Sequence, residues 1–235
     1  MTRPQPRQQP PPQQRLRVRY AKRGRARFAS HRDIGRAIER ALRRAEIPMA
    51  YSSGFSPHPR ISYANASPTG AASEAEYLEL GFAQRLDPEW VVEQLNRALP
   101  DGLVVLAAVE ASSGSLSDEL TTSLWRIDVP GMRREDAEKA VGELLGHREY
   151  RVERMTKAGM RAFDVRSAIL RLHLVSDVAL ELVSVIGSPL VRPDDVVQAL
   201  SSVHPAFRSI DPPVYTRLAH GTYDGARVVD PIPVG

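Results

Sequence analysis

The chain has 235 residues, 42% hydrophobic and 26% charged, which suits a globular protein of one large domain or two small ones. It contains no cysteine, so disulfides, thiolate metal sites, iron–sulfur ligation and a cysteine nucleophile are excluded. No apolar run approaches the roughly 20 residues that cross a bilayer, and the first residues lack the apolar core of a signal peptide, so we expect a cytoplasmic protein without a membrane partner.

The net charge of +4 is unevenly distributed along the chain. From Arg15 to Arg60 there are thirteen Lys and Arg but three acids, a net charge of about +10, and the sequence after Arg60 carries about −8. Concentrated positive charge attracts polyanions. A solvated arginine-rich face is the other interpretation, but the confinement of the charge to one segment favours an anionic partner.

The first half of the chain begins with a tail, residues 1–14, whose Pro and Gln content predicts disorder. Leu16, Val18 and Tyr20 alternate with arginines, which predicts a strand from Arg15. Ser30 with Asp33 predicts the cap of a helix that runs to about residue 45. We further predict extended chain at 26–28, strands at 60–64, 75–82 and 103–109, and a helix at 87–99 capped by Asp87.

The second half repeats this order more loosely after a Ser-rich linker at residues 111–117. Strands are predicted at 124–129, 150–155, 167–174, 180–186 and 214–219, and helices at 133–146 and 193–203. The expected fold is α+β, with two tandem ferredoxin-like βαββαβ units and antiparallel sheets. The first unit covers residues 15–110 and carries the basic segment, and the second covers residues 118–235.

One dense group of motifs between residues 20 and 80 resembles the radical-SAM-linked protein family, a bacterial domain of unknown function. The motifs that carry the resemblance are Tyr20-x-Lys22-x-Gly24, Phe28-x-Ser30-His31-x-Asp33, residues 40–45, Ala50-Tyr51-Ser52-x-Gly54-Phe55-Ser56-Pro57-His58-Pro59, Ser67-Pro68-x-Gly70-x-x-Ser73 and, in the second half, Asp164-x-Arg166. The match is thin over the rest of the chain.

The resemblance implies an association with radical-SAM enzymes, whose iron–sulfur cluster needs three cysteines. Because this chain has none, it resembles the associated module rather than the enzyme. No cofactor is expected in this chain, and the iron–sulfur cluster and S-adenosylmethionine are expected only in a partner, a separate radical-SAM enzyme. The resemblance supplies no reaction.

Two histidines are the candidate catalytic residues. His31 follows the cap of the first helix among arginines and is a candidate general base, although it could instead pack at the helix start. His58 lies between Pro57 and Pro59, which restrict the backbone that presents its imidazole. The two could converge with an acid such as Asp33 or Glu76 on a metal, but the sequence lacks a metal-ligand spacing, and no metal is predicted.

Cationic and aromatic residues are the candidate binding groups. On the first helix Arg32, Arg36, Arg40 and Arg43 recur at three- and four-residue spacing and share a face, with some expected to pair with Glu39 and Glu46. Arginine forks suit phosphate, and Phe55, beside Gly54, is either a platform for a base or a core residue. The complete predicted set is Lys22, Arg25, Arg32, Arg36, Arg40, Arg43, Phe55 and Arg60.

Three functional hypotheses follow from these residues. The first is a non-catalytic accessory protein that binds RNA, either tRNA or rRNA, in support of its modification or processing. The second is a protein-interaction module that docks a radical-SAM enzyme on the arginine row. The third is an enzyme acting on a small molecule or cleaving RNA, with His31 and His58 sharing a pocket. The sequence does not indicate an oligomeric state.

Overall fold

The computed structural model describes residues 8–156 and 159–233. The strands are β1 Gln14–Lys22, β2 Ile61–Ala64, β3 Ala72–Phe82, β4 Leu103–Glu110, β5 Thr122–Asp128, β6 Arg151–Thr156, β7 Gly159–Asp164, β8 Ile169–Ser176, β9 Ala179–Val185, β10 Val214–Tyr223 and β11 Val228–Val229. The helices are α1 His31–Arg44, α2 Pro88–Ala98, α3 Leu116–Glu119, α4 Arg134–Gly146 and α5 Pro193–Val203. None of the described helices is both long and apolar enough to cross a membrane.

Two compact units divide the described residues. The first contains residues 8–119 together with 231–233, and the second contains residues 120–230. The second unit predicted from the sequence, 118–235, therefore includes five described residues that the structure groups with the first unit, 118–119 and 231–233, while residues 234–235 lie outside the described residues. The α+β class is confirmed, and the strand pairings within each unit are antiparallel.

In the first unit the strands are ordered β4-β1-β3-β2. β3 is central because Tyr77 to Leu80 pair with β1 on one edge and with β2 on the other. Leu16, Val18 and Tyr20 of β1 face α1 and α2 and form the core with the apolar stripes of these helices. The alternation in the sequence therefore identifies the buried face of β1.

The opposite face of β1 carries arginines, and the segment after β4 covers one of them. Arg17 is 3% exposed, and its guanidinium donates to the Gly114 carbonyl at 3.0 Å and to the Glu119 carboxylate at 2.6 Å. Leu116 of α3 is also buried. Part of the predicted linker is therefore a segment bound to the first unit.

The described part of the predicted disordered tail contacts the first unit. Gln14 is the first residue of β1 and is buried, and its side-chain amide donates to the Leu86 carbonyl and to the Glu110 carboxylate. The Gln13 backbone donates to the Phe82 carbonyl at 2.9 Å. Backbone pairing with the end of β3 orders these residues despite their composition. Residues 1–7 of the predicted tail lie outside the described residues.

In the second unit the strands are ordered β10-β5-β9-β8. The connection from α4 to β8 contains an additional antiparallel hairpin, β6–β7, with Met155 opposite Met160. The sequence predicts β6 but not β7. Arg154 of β6 pairs with Asp195, which is 2% exposed in the first turn of α5, so an ion pair attaches the hairpin to this helix.

Candidate nucleic-acid interface

α1 begins at the cap that the sequence predicts. The Ser30 hydroxyl accepts a hydrogen bond from the Asp33 backbone N–H at 3.2 Å and donates one to the Asp33 carboxylate at 2.6 Å. The hydroxyl contact is the main cause that lowers the pKa of Asp33, and Arg36 and Arg32 add to it. Ser30 and Asp33 therefore hold the first turn of the helix.

The exposed face of α1 is a row of arginines. Arg32, Arg36, Arg40 and Arg43 are all exposed, whereas Ile34, Ala37, Ile38, Ala41 and Leu42 are buried. Arg36 lies 3.8 Å from the Asp33 carboxylate. The other three form no ion pair or hydrogen bond with residues 8–156 and 159–233, and neither do the carboxylates of Glu39 and Glu46. The expected pairing with these two acids is therefore wrong.

Exposed arginines elsewhere commonly have a carboxylate partner. The ion pairs include Arg23–Glu74, Arg85–Glu110, Arg97–Glu93, Arg134–Glu138, Arg151–Glu149 and Arg227–Asp224. An exposed pair contributes only about 0–1 kcal/mol, so pairing says little about stability. An ion pair does reduce the positive electrostatic potential around an arginine. On α1, by contrast, most of the arginines have no such partner among the described residues.

A 3₁₀ turn precedes α1, whereas the sequence predicts extended chain at residues 26–28. The turn spans Gly24–Phe28, and Gly24 adopts a φ of +53°. Arg25 is exposed, as predicted for a binding residue. Phe28 is 60% exposed, with the Arg27 guanidinium carbon 4.5 Å from its ring centroid. The surface position of Phe28 is not predictable from the local sequence, because it depends on the 3₁₀ turn and on the contact of Gly70 with the Arg27 carbonyl.

The loop of residues 52–58 projects from a closed base. Tyr51 bridges Pro59, the Ser52 N–H donates to the His58 carbonyl at 2.8 Å, and the His58 N–H donates to the Ser52 hydroxyl at 3.0 Å. Gly54 has a φ of +128°, which L side chains rarely adopt. Phe55 is 70% exposed, so of the two alternatives the structure has the surface position. Pro57 is exposed beside it.

The structure does not bring His31 and His58 together. The His31 ring packs edge-on against Tyr63 of β2, with 4.9 Å between ring centroids. His58 precedes Tyr63 by five residues of largely extended chain, which corresponds to about 15 Å. The imidazole of His58 makes no hydrogen bond, ion pair or ring contact within the described ranges. A pocket shared by the two imidazoles is therefore absent from this part of the chain.

Tyr63 has an unusual environment beside His31. Its hydroxyl is buried and makes no hydrogen bond to the residues that the structure describes. Burial, with a smaller contribution from Glu39, raises the pKa of Tyr63 to about 12. The ring of Tyr63 thus supports the start of α1 by packing, with its hydroxyl neutral across the physiological pH range.

Lys22 is a correction to the predicted binding set. It is 1% exposed, and its ammonium donates to the Pro68 carbonyl at 3.2 Å, so it offers no surface to a polyanion. The loop that covers it is held by buried Glu76, which accepts from the Ser67 N–H. Lys22 is therefore buried at the end of β1, although its charge predicts an exposed position.

Two further motif residues hold the same loop. Gly70, with a φ of +95°, donates its N–H to the Arg27 carbonyl at 2.7 Å and thereby anchors the 3₁₀ turn. The Ser73 hydroxyl accepts from the Ala75 N–H at 3.1 Å. These motif residues therefore position the segment that carries Phe28.

Arg60 is exposed, and its Nε donates to the Tyr51 carbonyl at 3.2 Å. It lines a groove on the first unit with Pro12, Arg15 and Glu79. Arg15 lies 3.1 Å from the Glu79 carboxylate, so the groove has mixed charge. Arg60 is available to a partner, but the groove itself is not a purely cationic site.

The Asp164–Arg166 motif is structural in the second unit. The Asp164 carboxylate accepts from the backbone N–H groups of Tyr150, Arg166 and Ser167 at 2.9–3.2 Å. Burial raises the pKa of Asp164, but a hydrogen bond from the Ser167 side chain and these backbone hydrogen bonds together outweigh it, so the net pKa is lowered. The Arg166 guanidinium donates to the carbonyls of Leu145 and Ile169. The motif ties the end of α4 to the β7–β8 connection.

No three His, Asp or Glu side chains among the described residues converge in a way that could hold a metal ion. The predicted set therefore resolves into an exposed surface around α1 and a group of structural residues. The exposed surface contains Arg25, Arg32, Arg36, Arg40, Arg43 and Phe55, with Phe28 as an addition, whereas Arg60 is exposed in the separate groove with Arg15 and Glu79.

Comparison with protein families decides the affiliation of the chain. The model of the family DUF2344, described as "Uncharacterized protein conserved in bacteria", matches residues 15–193. The chain belongs to DUF2344. The matched range includes all of the motif residues named above, in both units. No curated protein matches the chain.

Proposed function

We propose that this DUF2344 member is a non-catalytic accessory protein that binds RNA through its basic first unit, in support of RNA modification or processing. The observation that carries the proposal is the arginine row of α1, where Arg32, Arg40 and Arg43 have no ion-pair partner among the described residues. An array of exposed, uncompensated guanidinium groups has the charge and the donor geometry that phosphates bind.

The architecture supports a binding role. We propose that both units are ferredoxin-like. The support is the strand order, which is β4-β1-β3-β2 in the first unit and β10-β5-β9-β8 in the second. Apart from the β6–β7 hairpin, the fourth strand of each unit thus lies beside the first, followed by the third and the second, as in a ferredoxin-like fold. Such a sheet leaves the helices on one face, and α1 is therefore free to present its arginines.

The resemblance to radical-SAM-linked proteins extends the proposal to a partner. The iron–sulfur cluster and S-adenosylmethionine would belong to a separate radical-SAM enzyme in the cytoplasm, since these 235 residues contain no cysteine. The RNA held by α1 would then be the substrate of that enzyme.

The test is RNA binding by the full chain across a salt series. Fluorescence anisotropy with labelled tRNA and rRNA fragments gives the dissociation constant at each salt concentration. Replacing Arg32, Arg40 and Arg43 with Gln is expected to weaken binding at least tenfold at low salt, and to reduce the log–log salt slope by about one unit for each lost phosphate contact.

The matched control replaces three paired arginines, Arg97, Arg134 and Arg227, with Gln. It removes the same net charge from other surfaces, so it corrects for the general effect of charge. Salt-insensitive binding by the native chain, or an equal loss in both variants, would contradict the proposal.

A second candidate function is docking of a separate radical-SAM enzyme. The observation that favours it is the cross-strand pair Met155 and Met160 on the β6–β7 hairpin, which are 67% and 57% exposed. Exposed, adaptable methionines are typical of protein-binding surfaces. If the docking function is correct, Met155→Ser with Met160→Ser abolishes co-purification with an iron–sulfur enzyme while RNA binding persists.

A further inference from the structure

Two exposed phenylalanines belong to segments at opposite ends of α1. Phe28 ends the 3₁₀ turn, two residues before the Ser30 cap. Phe55 lies in the loop that follows the helix, between Ser52 and His58. Because α1 has 14 residues, its axis is about 20 Å long.

The strand register establishes which end each segment occupies. β1 runs from Gln14, opposite Phe82, to Lys22, opposite Ser73. The turn with Phe28 follows Lys22 and therefore lies at the Ser73 end of the sheet. The base of the loop bonds to the other end, since the Ala50 N–H donates to the Gly81 carbonyl at 2.9 Å. The arginine row thus runs between the two aromatic segments.

Packing of the hydrophobic core does not account for the position of either ring. Phe28 is 60% and Phe55 is 70% exposed, although burial of a phenylalanine side chain favours folding. Arg27 covers one face of Phe28, which leaves an arginine–aromatic stack open to a further planar group. Exposed aromatic rings beside phosphate-binding cations are the combination that holds unpaired bases.

We propose that this surface binds single-stranded RNA, with unpaired bases stacked on Phe28 and Phe55 and the intervening phosphates on the arginines of α1. This inference rests on the proposed function and specifies its substrate. A stacked strand rises about 3.4 Å per nucleotide, so about six nucleotides span the length of α1. A duplex has its bases paired and stacked internally, so it can engage the arginines but not the two rings.

The experiment measures the affinity of the full chain for two labelled RNAs across the same salt series: an unstructured strand of about 12 nucleotides and a hairpin with the same number of phosphates. Native protein is expected to bind the single strand at least tenfold more tightly. Phe28→Leu with Phe55→Leu is expected to lower single-strand affinity about tenfold or more, because both base-stacking contacts are lost. The salt slope and the hairpin affinity should not change.

Phe55→Trp supplies a direct signal of stacking. An indole stacks at least as well as a phenyl ring, so affinity is retained, and the added tryptophan fluorescence should be quenched by the single strand and not by the hairpin. Leu190→Ala, at a residue 41% exposed in the second unit, is the control for loss of an exposed apolar side chain.

The outcomes separate this inference from the proposed function. Equal affinity for strand and hairpin, no effect of the leucine variants and a loss in the α1 arginine variant would overturn the single-strand inference and leave RNA binding intact. No binding to either RNA would overturn both. Equal competition by poly-glutamate would indicate an acidic protein as the partner of this surface and would also overturn the inference.

Discussion

At the scale of single residues, Asp164 shows how a motif carboxylate can serve the fold. Three backbone N–H groups donate to it, and they lower its pKa despite partial burial. A hydrogen bond to a charged acceptor contributes about 1.5–3 kcal/mol. The three donors here are half-buried or exposed, so water can replace part of this contribution once the carboxylate is removed. Its charge is therefore coupled to folding.

We expect Asp164→Ala to lower the free energy of unfolding by about 2 kcal/mol at pH 7. Because the folded-state pKa lies below the unfolded value, the contribution is complete above the unfolded pKa and is lost as the pH falls through the folded one. Urea denaturation at pH 7 and near pH 3 should show the difference between variant and native protein shrink on acidification. A constant difference would show that the charge is not involved.

Residue roles were predictable from sequence where they depend on neighbours along the chain. Ser30 and Asp33 cap α1 as expected, since a capping pair is local. Lys22 was misplaced on the surface because its burial depends on the loop at Pro68, 46 positions away in the sequence. The sequence places His31 and His58 near one another along the chain, whereas in the structure His31 packs against Tyr63 and the His58 imidazole makes no hydrogen bond or ring contact with His31.

At the scale of elements, an ion pair between half-buried Arg154 and buried Asp195 attaches the β6–β7 hairpin to α5. Burial raises the pKa of Asp195, although a hydrogen bond from the Arg192 backbone and the charge of Arg154 oppose this increase. Arg154 also stacks on Phe163, with its guanidinium carbon 4.8 Å from the ring centroid. Removing one partner of a buried pair leaves an uncompensated charge, which costs about 3–5 kcal/mol.

We expect Arg154→Met to lower the free energy of unfolding by about 3 kcal/mol at pH 7. The loss of Arg154 raises the pKa of Asp195 further, so protonation on acidification removes the unpaired charge and the penalty shrinks towards pH 4. Urea denaturation at both pH values measures this change. Arg161→Met, at the exposed cross-strand neighbour, is the matched control and should change stability by less than about 0.5 kcal/mol.

The long periodic elements were predicted well, and the short irregular ones were not. α5 has the predicted bounds, Pro193–Val203, because proline and two acids mark its start. The sequence does not predict β7, because apolar and polar residues do not alternate regularly along Gly159–Asp164. The 3₁₀ turn before α1 was also missed, since its formation depends on the contact from Gly70 to Arg27.

At the scale of the whole molecule, the first unit is not one continuous stretch of sequence. Residues 231–233 belong to it, Ile232 is fully buried, and the Ile232 carbonyl accepts from the Arg19 guanidinium at 3.4 Å. This arrangement was not predictable from the sequence, because nothing in a short apolar segment after β11 indicates which unit it will join.

We expect a chain that stops after Asp230 to be less stable by about 2–4 kcal/mol, since it loses a buried isoleucine and its contacts. The measurement is the midpoint of urea unfolding followed by a probe in the first unit. Ile232→Ala in the full chain should reproduce most of the loss, and Val229→Ala, at an exposed position, should not. Unchanged stability in the shortened chain would contradict this role.

The return of residues 231–233 to the first unit also has a consequence for protein synthesis. A ribosome makes residues 8–119 first, yet the buried isoleucine that belongs to the same unit emerges only after the whole second unit has been translated. During that interval the nascent first unit lacks Ile232, and its arginine-rich helix is already outside the exit tunnel. During synthesis, the first unit is therefore the last of the two units to be completed.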